Sequence, residues 1–164
     1  MSRLWFDTEF VDDGQTVGLL SVGIVRDDGV TYYAEVAEAD HERANPWVRA
    51  HVLPLLTGPV LPRAEIAKQV REFAGPSPEW WASFGAYDWV LLCQLYGPLE
   101  DHPLDWPWYC RDVQQYAEHA GADLTELPHP PDQHHALADA HWTRAAWQLC
   151  RDHDNQDHQD RHDR

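Results

Sequence analysis

Apolar and polar positions along the chain change their period several times, and each change marks an element. Arg3 to Thr8 carries Leu4, Trp5 and Phe6 as a short buried strand, and Val17 to Arg26 and Val30 to Val36 read as two more. Asp27-Asp28-Gly29 between the last two is a hairpin signal, because Asp-Gly suits the positive φ angles of a tight turn. The first third is therefore expected to be an antiparallel meander. The period then becomes helical. Asn45-Pro46 pairs an N-cap residue with proline at the first helical position, ahead of Trp47, Val48 and Val52. Arg63 to Phe73 predicts a second helix closed by Gly75-Pro76. Glu79 to Phe84 returns to strand, and Tyr87 to Tyr96 is an apolar helix stopped by Gly97-Pro98.

Leu99 to Trp108 is a loop of Pro, Trp and Asp, and Asp112 can cap a helix ending at Gly121. Pro128, Pro130 and Pro131 make Ala122 to Gln133 a loop. Ala138, Trp142, Ala145 and Leu149 fall at helical spacing for a last amphipathic helix. The pattern predicts one α/β domain over residues 1–151, with a mixed sheet flanked by helices. Residues 152–164 contain only polar and charged side chains and are expected to form a disordered, acidic and His-rich tail. Its His153, His158 and His162 are irregularly spaced for a nickel or zinc site, which favours a solvated tail.

Charge narrows the function classes. Twenty-eight acids against twelve Lys and Arg leave a net charge of −16, which excludes the basic footprint of a nonspecific nucleic-acid binder. An acidic chain can still bind a phosphate through divalent cations. Three widely spaced cysteines form no CxxC pair, so a thiolate zinc site or disulfide framework is not expected and a reducing cytoplasm is. No leader is expected, since Met1 passes straight into a strand-like run, and no apolar run reaches the ~20 residues of a membrane span. Nine tryptophans are expected mostly in the core, with pairs such as Trp80-Trp81 able to cover a partner subunit instead.

Three groups of residues bear on chemistry. Asp7 and Glu9 are two apart, so on a strand both carboxylates leave the same face. Either the strand ends there and both are solvated, or a divalent cation offsets their repulsion. Asp88 opens a helix, where it can complement the macrodipole or serve as a third ligand. In His134-His135-Ala136-Leu137-Ala138-Asp139, Asp139 has the same two readings. His135 would share a helical face with Asp139, whereas His134 can act with Asp139 only from the preceding loop. A loop-borne histidine is suited to general base work.

Taken together, Asp7-x-Glu9, Asp88 and the H-x-A-L-x-D string from His134 to Asp139 resemble the three motifs of the DEDDh 3′–5′ exonucleases, in the same order and spacing. DTEF, S-V-G in the second strand, G-A-Y-D-W and H-x-A-L-x-D-A are most similar to the actinobacterial polyadenylate-specific exoribonuclease AS group, over roughly Arg3 to Arg151. Where many DEDDh members carry Asn and Phe ahead of the second-motif Asp, this chain has Ala86 and Tyr87.

The resemblance implies a ribonuclease H-like fold with a five-stranded mixed sheet, three antiparallel strands followed by two parallel ones. It implies two Mg²⁺ or Mn²⁺ ions on Asp7, Glu9, Asp88 and Asp139, with His134 as general base. It further implies hydrolysis from an RNA 3′ end, including adenylate-rich tails, to 5′-mononucleotides, and a homodimer. Thr8, by its backbone, and Phe10, by stacking on a base, are the expected substrate contacts, with a core position after the strand an equal reading of Phe10. The rival readings are a DNA exonuclease or oligoribonuclease on the same fold and, in a different class, a non-catalytic acidic metal-binding interaction module.

Overall fold

The computed structural model describes residues 2–162, with the backbone alone at 157, 158 and 160–162. In chain order its strands are β1 (Arg3–Asp12), β2 (Val17–Arg26), β3 (Thr31–Val36), β4 (Val60–Leu61), β5 (Glu79–Ala82) and β6 (Arg111–Asp112). Its α-helices are α1 (Pro46–His51), α2 (Arg63–Ala74), α3 (Ala86–Gln94), α4 (Val113–Ala120) and α5 (Ala136–His162). The sheet order is β4-β3-β2-β1-β5-β6. β1, β2 and β3 are antiparallel, and β5 and β6 continue parallel to β1. The sheet thus has six strands rather than the expected five. The addition is the two-residue β4, which pairs parallel to β3 at the far edge. A pairing that short leaves no periodic signature to read in the sequence.

The meander closes where the sequence predicts. Gly29 takes a φ of 87°, and Arg26 N–H donates to the Val30 carbonyl at 2.9 Å across the turn. Asn45 caps α1 through Oδ1, which accepts the Val48 N–H at 2.9 Å. Gly121, at φ 68°, ends α4 in the left-handed conformation.

The sheet is covered on both faces, so its central strands bury side chains in both directions. Leu4 and Phe6 of β1, with Val22 and Ile24 of β2, pack against Ile66 and Val70 of α2 and Leu91 and Leu92 of α3. On the other face Trp5 and Trp81 meet Val113 of α4 and Ala146 and Trp147 of α5. Each such fully buried side chain contributes about 1.5–3 kcal/mol. A third cluster places Val11 and Leu20 against Val48 and Val52 at α1. Trp5, Trp80, Trp81, Trp106 and Trp147 are buried as expected, whereas Trp47 and Trp108 are exposed.

α5 continues past Cys150 to His162, where the sequence reading expects a disordered tail. Packing of the first turns nucleates the helix, and no Gly or Pro follows to stop it. Tyr116 Oη donates to Asp154 Oδ2 at 3.4 Å, which fastens the extension to α4. The side chains of His158 and His162 lie outside the described residues. Among the described residues no helix is long and apolar enough to cross a membrane, and Cys93, Cys110 and Cys150 are free thiols.

Candidate active site

The site begins where β1 leaves its neighbour. β1 pairs with β5 only from Arg3 to Trp5. Beyond that point the Thr8 N–H on this edge has no ladder partner, and α3 supplies one. Asp88, in the first turn of α3 and buried, accepts the Thr8 N–H at 2.9 Å and the Thr8 hydroxyl at 2.6 Å on Oδ1. The start of α3 is itself fastened by Asp112. That carboxylate caps α4 through the Gln114 N–H at 2.8 Å and reaches across to the Gly85 N–H at 3.0 Å. A side chain at Gly85 would run into Ala82 Cβ, 2.4 Å from an added Cβ, so only glycine lets this turn close.

Asp7 and Glu9 leave the opposite face of β1 from Thr8, toward α5. Gly23 of β2 lies directly across from Asp7 in the ladder. A Cβ there would lie 2.3 Å from the Leu137 nitrogen and 2.4 Å from the Ala136 carbonyl carbon. The missing side chain therefore admits the first turn of α5 onto the sheet beside Asp7. This is the physical content of the S-V-G segment in β2. Asp139, in that first turn, is thereby brought to the carboxylates.

His134 stands just before α5, as general base work with Asp139 requires. Its φ of 75° is unusual for a non-glycine residue. The turn is held by its own N–H, which donates to Asp139 Oδ2 at 2.8 Å. Ligand atoms of Glu9, His134 and Asp139 all lie within 4.8 Å of one another. Trp47 packs edge-on against the His134 ring, with centroids 4.8 Å apart. His135 points elsewhere: it stacks on Tyr33 at 4.4 Å, and its Nδ1 is buried without a partner. Geometry thus separates the two histidines that spacing alone left open.

The electrostatics are one-sided. Burial pushes the Asp7 carboxyl well above the ordinary range, and Asp88, Glu9 and Asp139 push it further. Glu9 rises to about 9, through burial first and then Asp139 and Asp88. Asp88 is raised by burial against the opposing hydrogen bonds from Thr8. Asp139 is raised by burial, opposed by the His134 N–H and the charges of His134 and His129. Among the described residues, no lysine or arginine is a cause of these shifts. Four clustered carboxylates, Glu9 and Asp88 buried and Asp7 and Asp139 half-buried, with only His134 and His129 to offset them and at Asp139 alone, fit a site that holds divalent metal, because most of their repulsion is otherwise uncompensated.

A family model for the 3′-5′ exoribonuclease Rv2179c-like domain matches residues 2–151. The chain belongs to this family. Two Mycobacterium tuberculosis members, 3′-5′ exoribonuclease Rv2179c and 3′-5′ exoribonuclease MT2234.1, are each 44% identical over 146 residues, covering 84% of this chain and 86% of the relative. Among solved structures, Escherichia coli exonuclease I in complex with a dT13 oligonucleotide superposes with a TM-score of 0.72 at 16% identity, covering 94% of this chain. Exonuclease I from Methylocaldum szegediense gives 0.64 at 16% identity over 92%. The chain spans only about two-fifths of these exonucleases, 42% and 40% of their length, and the likeness concerns the ribonuclease H-like fold.

Within this family site the structure brings Asp7, Glu9, Asp88, Asp139 and His134 together. Thr8 is buried, and its N–H and hydroxyl both bind Asp88. Phe10 is half-buried. The register shifts between Glu9 and Phe10, and beyond this bulge Phe10 packs on the α2–α3 side of the core and stacks on Tyr87 at 5.6 Å. Tyr87 is 54% exposed. Sequence reasoning missed two supporting residues. Asp112 shows only as a cap, and Trp47 carries no local signal that separates it from core aromatics.

Proposed function

We propose that the chain is a divalent-metal-dependent 3′–5′ exoribonuclease that removes 5′-mononucleotides from RNA, with adenylate-rich tails as the substrate that the resemblance favours. The observation that carries this reading is the cluster of four mutually repelling carboxylates with His134 beside Glu9 and Asp139. Membership of the Rv2179c-like family and 44% identity to two exoribonucleases support it.

Asp7, Glu9, Asp88 and Asp139 would hold two Mg²⁺ or Mn²⁺ ions, since all-oxygen ligation favours hard cations. Such ions supply the positive charge that the scissile phosphate and the departing 3′ oxygen need. His134 accepts a proton from the attacking water at a ring nitrogen. The water oxygen bonds to the terminal phosphorus, and the bond from phosphorus to the 3′ oxygen breaks. The last nucleotide leaves as a 5′-monophosphate, and the shortened chain keeps a 3′ hydroxyl that takes its proton from solvent. Thr8 fixes Asp88, Trp47 buttresses the His134 ring, and Phe10 with Tyr87 offers a stacking face for the terminal base, a contact worth about 1–3 kcal/mol.

Self-association as a homodimer belongs to the same reading. Val90, Leu99 and Trp108 are exposed and line one apolar cavity of about 420 Å³, a surface suited to a second subunit. Light scattering tests it: a mass of twice 18.9 kDa is expected. Incubation with 3′-labelled poly(A), mixed RNA and single-stranded DNA tests the substrate class, with mononucleotide release expected from RNA.

A further inference from the structure

Phe84 follows β5 and precedes the helix that carries Asp88. Its ring is 75% exposed, and its φ is 52°, in the left-handed region that bulky residues avoid. A polypeptide gains nothing for its own stability from a strained aromatic residue held in water, and such strain clusters at ligand sites. Phe84 lines a cavity of about 190 Å³ whose wall also includes Asp7 and Asp139. His129 and Trp142 line the same cavity, stacked on each other with centroids 5.3 Å apart and planes 12° from parallel. The space is therefore bounded by flat aromatic faces and opens on two of the proposed metal ligands.

We propose that this cavity seats the nucleobase on the 5′ side of the scissile phosphate, with Phe84 as its stacking face. The proposal rests on the exonuclease reading, which puts the terminal base by Phe10 and Tyr87. Neither of those residues lines this cavity, whereas Asp7 and Asp139 do. The RNA therefore runs from the terminal subsite, across the carboxylates, into the space beside Phe84. Aromatic faces recognise a base by its π surface, so the subsite accepts any base and requires that one be present.

The test pairs a variant with a substrate. Phe84→Gly removes the ring and relieves the left-handed strain, so this variant folds with an unchanged or higher Tm. Its partner is an RNA 12-mer in which the second nucleotide from the 3′ end lacks its base. Wild-type protein is expected to remove the terminal nucleotide from this RNA with kcat/KM about tenfold below the intact 12-mer, in line with the loss of one stacked base. Phe84→Gly is expected to fall about tenfold on the intact RNA and to lose nothing further on the abasic one. Phe84→Trp restores the wild-type pattern. An equal loss for Phe84→Gly on both RNAs, or no loss on either, overturns the subsite while leaving the exonuclease reading intact. Failure of the wild type to cleave the intact RNA with Mg²⁺ overturns both.

Discussion

Asp88 receives both the backbone N–H and the hydroxyl of Thr8 on a single oxygen, at 2.9 and 2.6 Å. The second carboxylate oxygen is thereby left for other work, and the first is locked to β1. Thr8→Val keeps the β-branched shape and the N–H but deletes the hydroxyl bond. Loss of a hydrogen bond to a charged group costs about 1.5–3 kcal/mol. A ligand displaced by about 1 Å can cost about a hundredfold in rate. The expected outcome is a loss of between about tenfold and a hundredfold in kcat with KM little changed, and recovery in Thr8→Ser. Steady-state kinetics on a short RNA checks both.

Acidic pairs such as Asp7 and Glu9 also set how stability responds to pH. Glu9 is raised from 4.5 to about 9, and Asp7, Asp88 and Asp139 are raised with it. Between these limits the folded metal-free protein keeps protons that the unfolded chain has released. The stability these four groups contribute is therefore fully present below about pH 4.5 and is lost as pH rises toward 9. The Tm in EDTA should fall across that window. Asp7→Asn removes one of the repelling charges and should raise the Tm in EDTA at pH 8 while abolishing hydrolysis. Mn²⁺ at a hundred times its Kd should add about 2.7 kcal/mol, or roughly 5–10 °C. Thermal shift at several pH values reads the three Tm effects, and an RNA cleavage assay reads the loss of hydrolysis.

The two histidines should separate cleanly. His134→Ala is expected to lose about 10²–10⁴-fold in kcat, the range of a general base, while still binding Mn²⁺. His135→Ala removes the stack on Tyr33 and should lower the Tm with little effect on kcat. Calorimetric Mn²⁺ titration beside a kinetic assay decides it. The opposite assignment would show as normal turnover in His134→Ala.

Gly23 admits α5 to the sheet, and its variants should uncouple packing from carboxylate chemistry. A Cβ at this position meets backbone rather than a movable side chain, so Gly23→Ala must shift the start of α5. A cost of about 3 kcal/mol is expected, together with weakened Mn²⁺ binding, because Asp139 moves with the helix. Chemical denaturation and metal titration check the two effects.

Much of this was readable before any coordinates. The apolar runs locate β1 to β3, and the capping residues Asn45 and Asp112 and the left-handed Gly121 mark helix ends, because those signals act over a few residues. The site was readable as a resemblance, and the fold supplies its causes: Gly23 for the approach of α5, Thr8 and Asp112 for the placement of Asp88. What the sequence hid depends on contacts far apart in the chain. β4 pairs too briefly to leave a pattern. The exposure of Tyr87 and Phe84 is set by how the chain turns from β5 into α3, which no local pattern marks. The helical extension to His162 follows from nucleation upstream, not from its own polar composition.

The central claim is metal-dependent removal of single nucleotides from an RNA 3′ end by the four-carboxylate site. Product analysis on a 5′-labelled, 3′-adenylated RNA tests it most directly, with Mg²⁺ or EDTA present and with Asp88→Asn alongside. A ladder shortening one nucleotide at a time and release of 5′-AMP are expected with Mg²⁺, and no change with EDTA or in the variant. Cleavage that persists in EDTA, or internal fragments in place of the ladder, would contradict it.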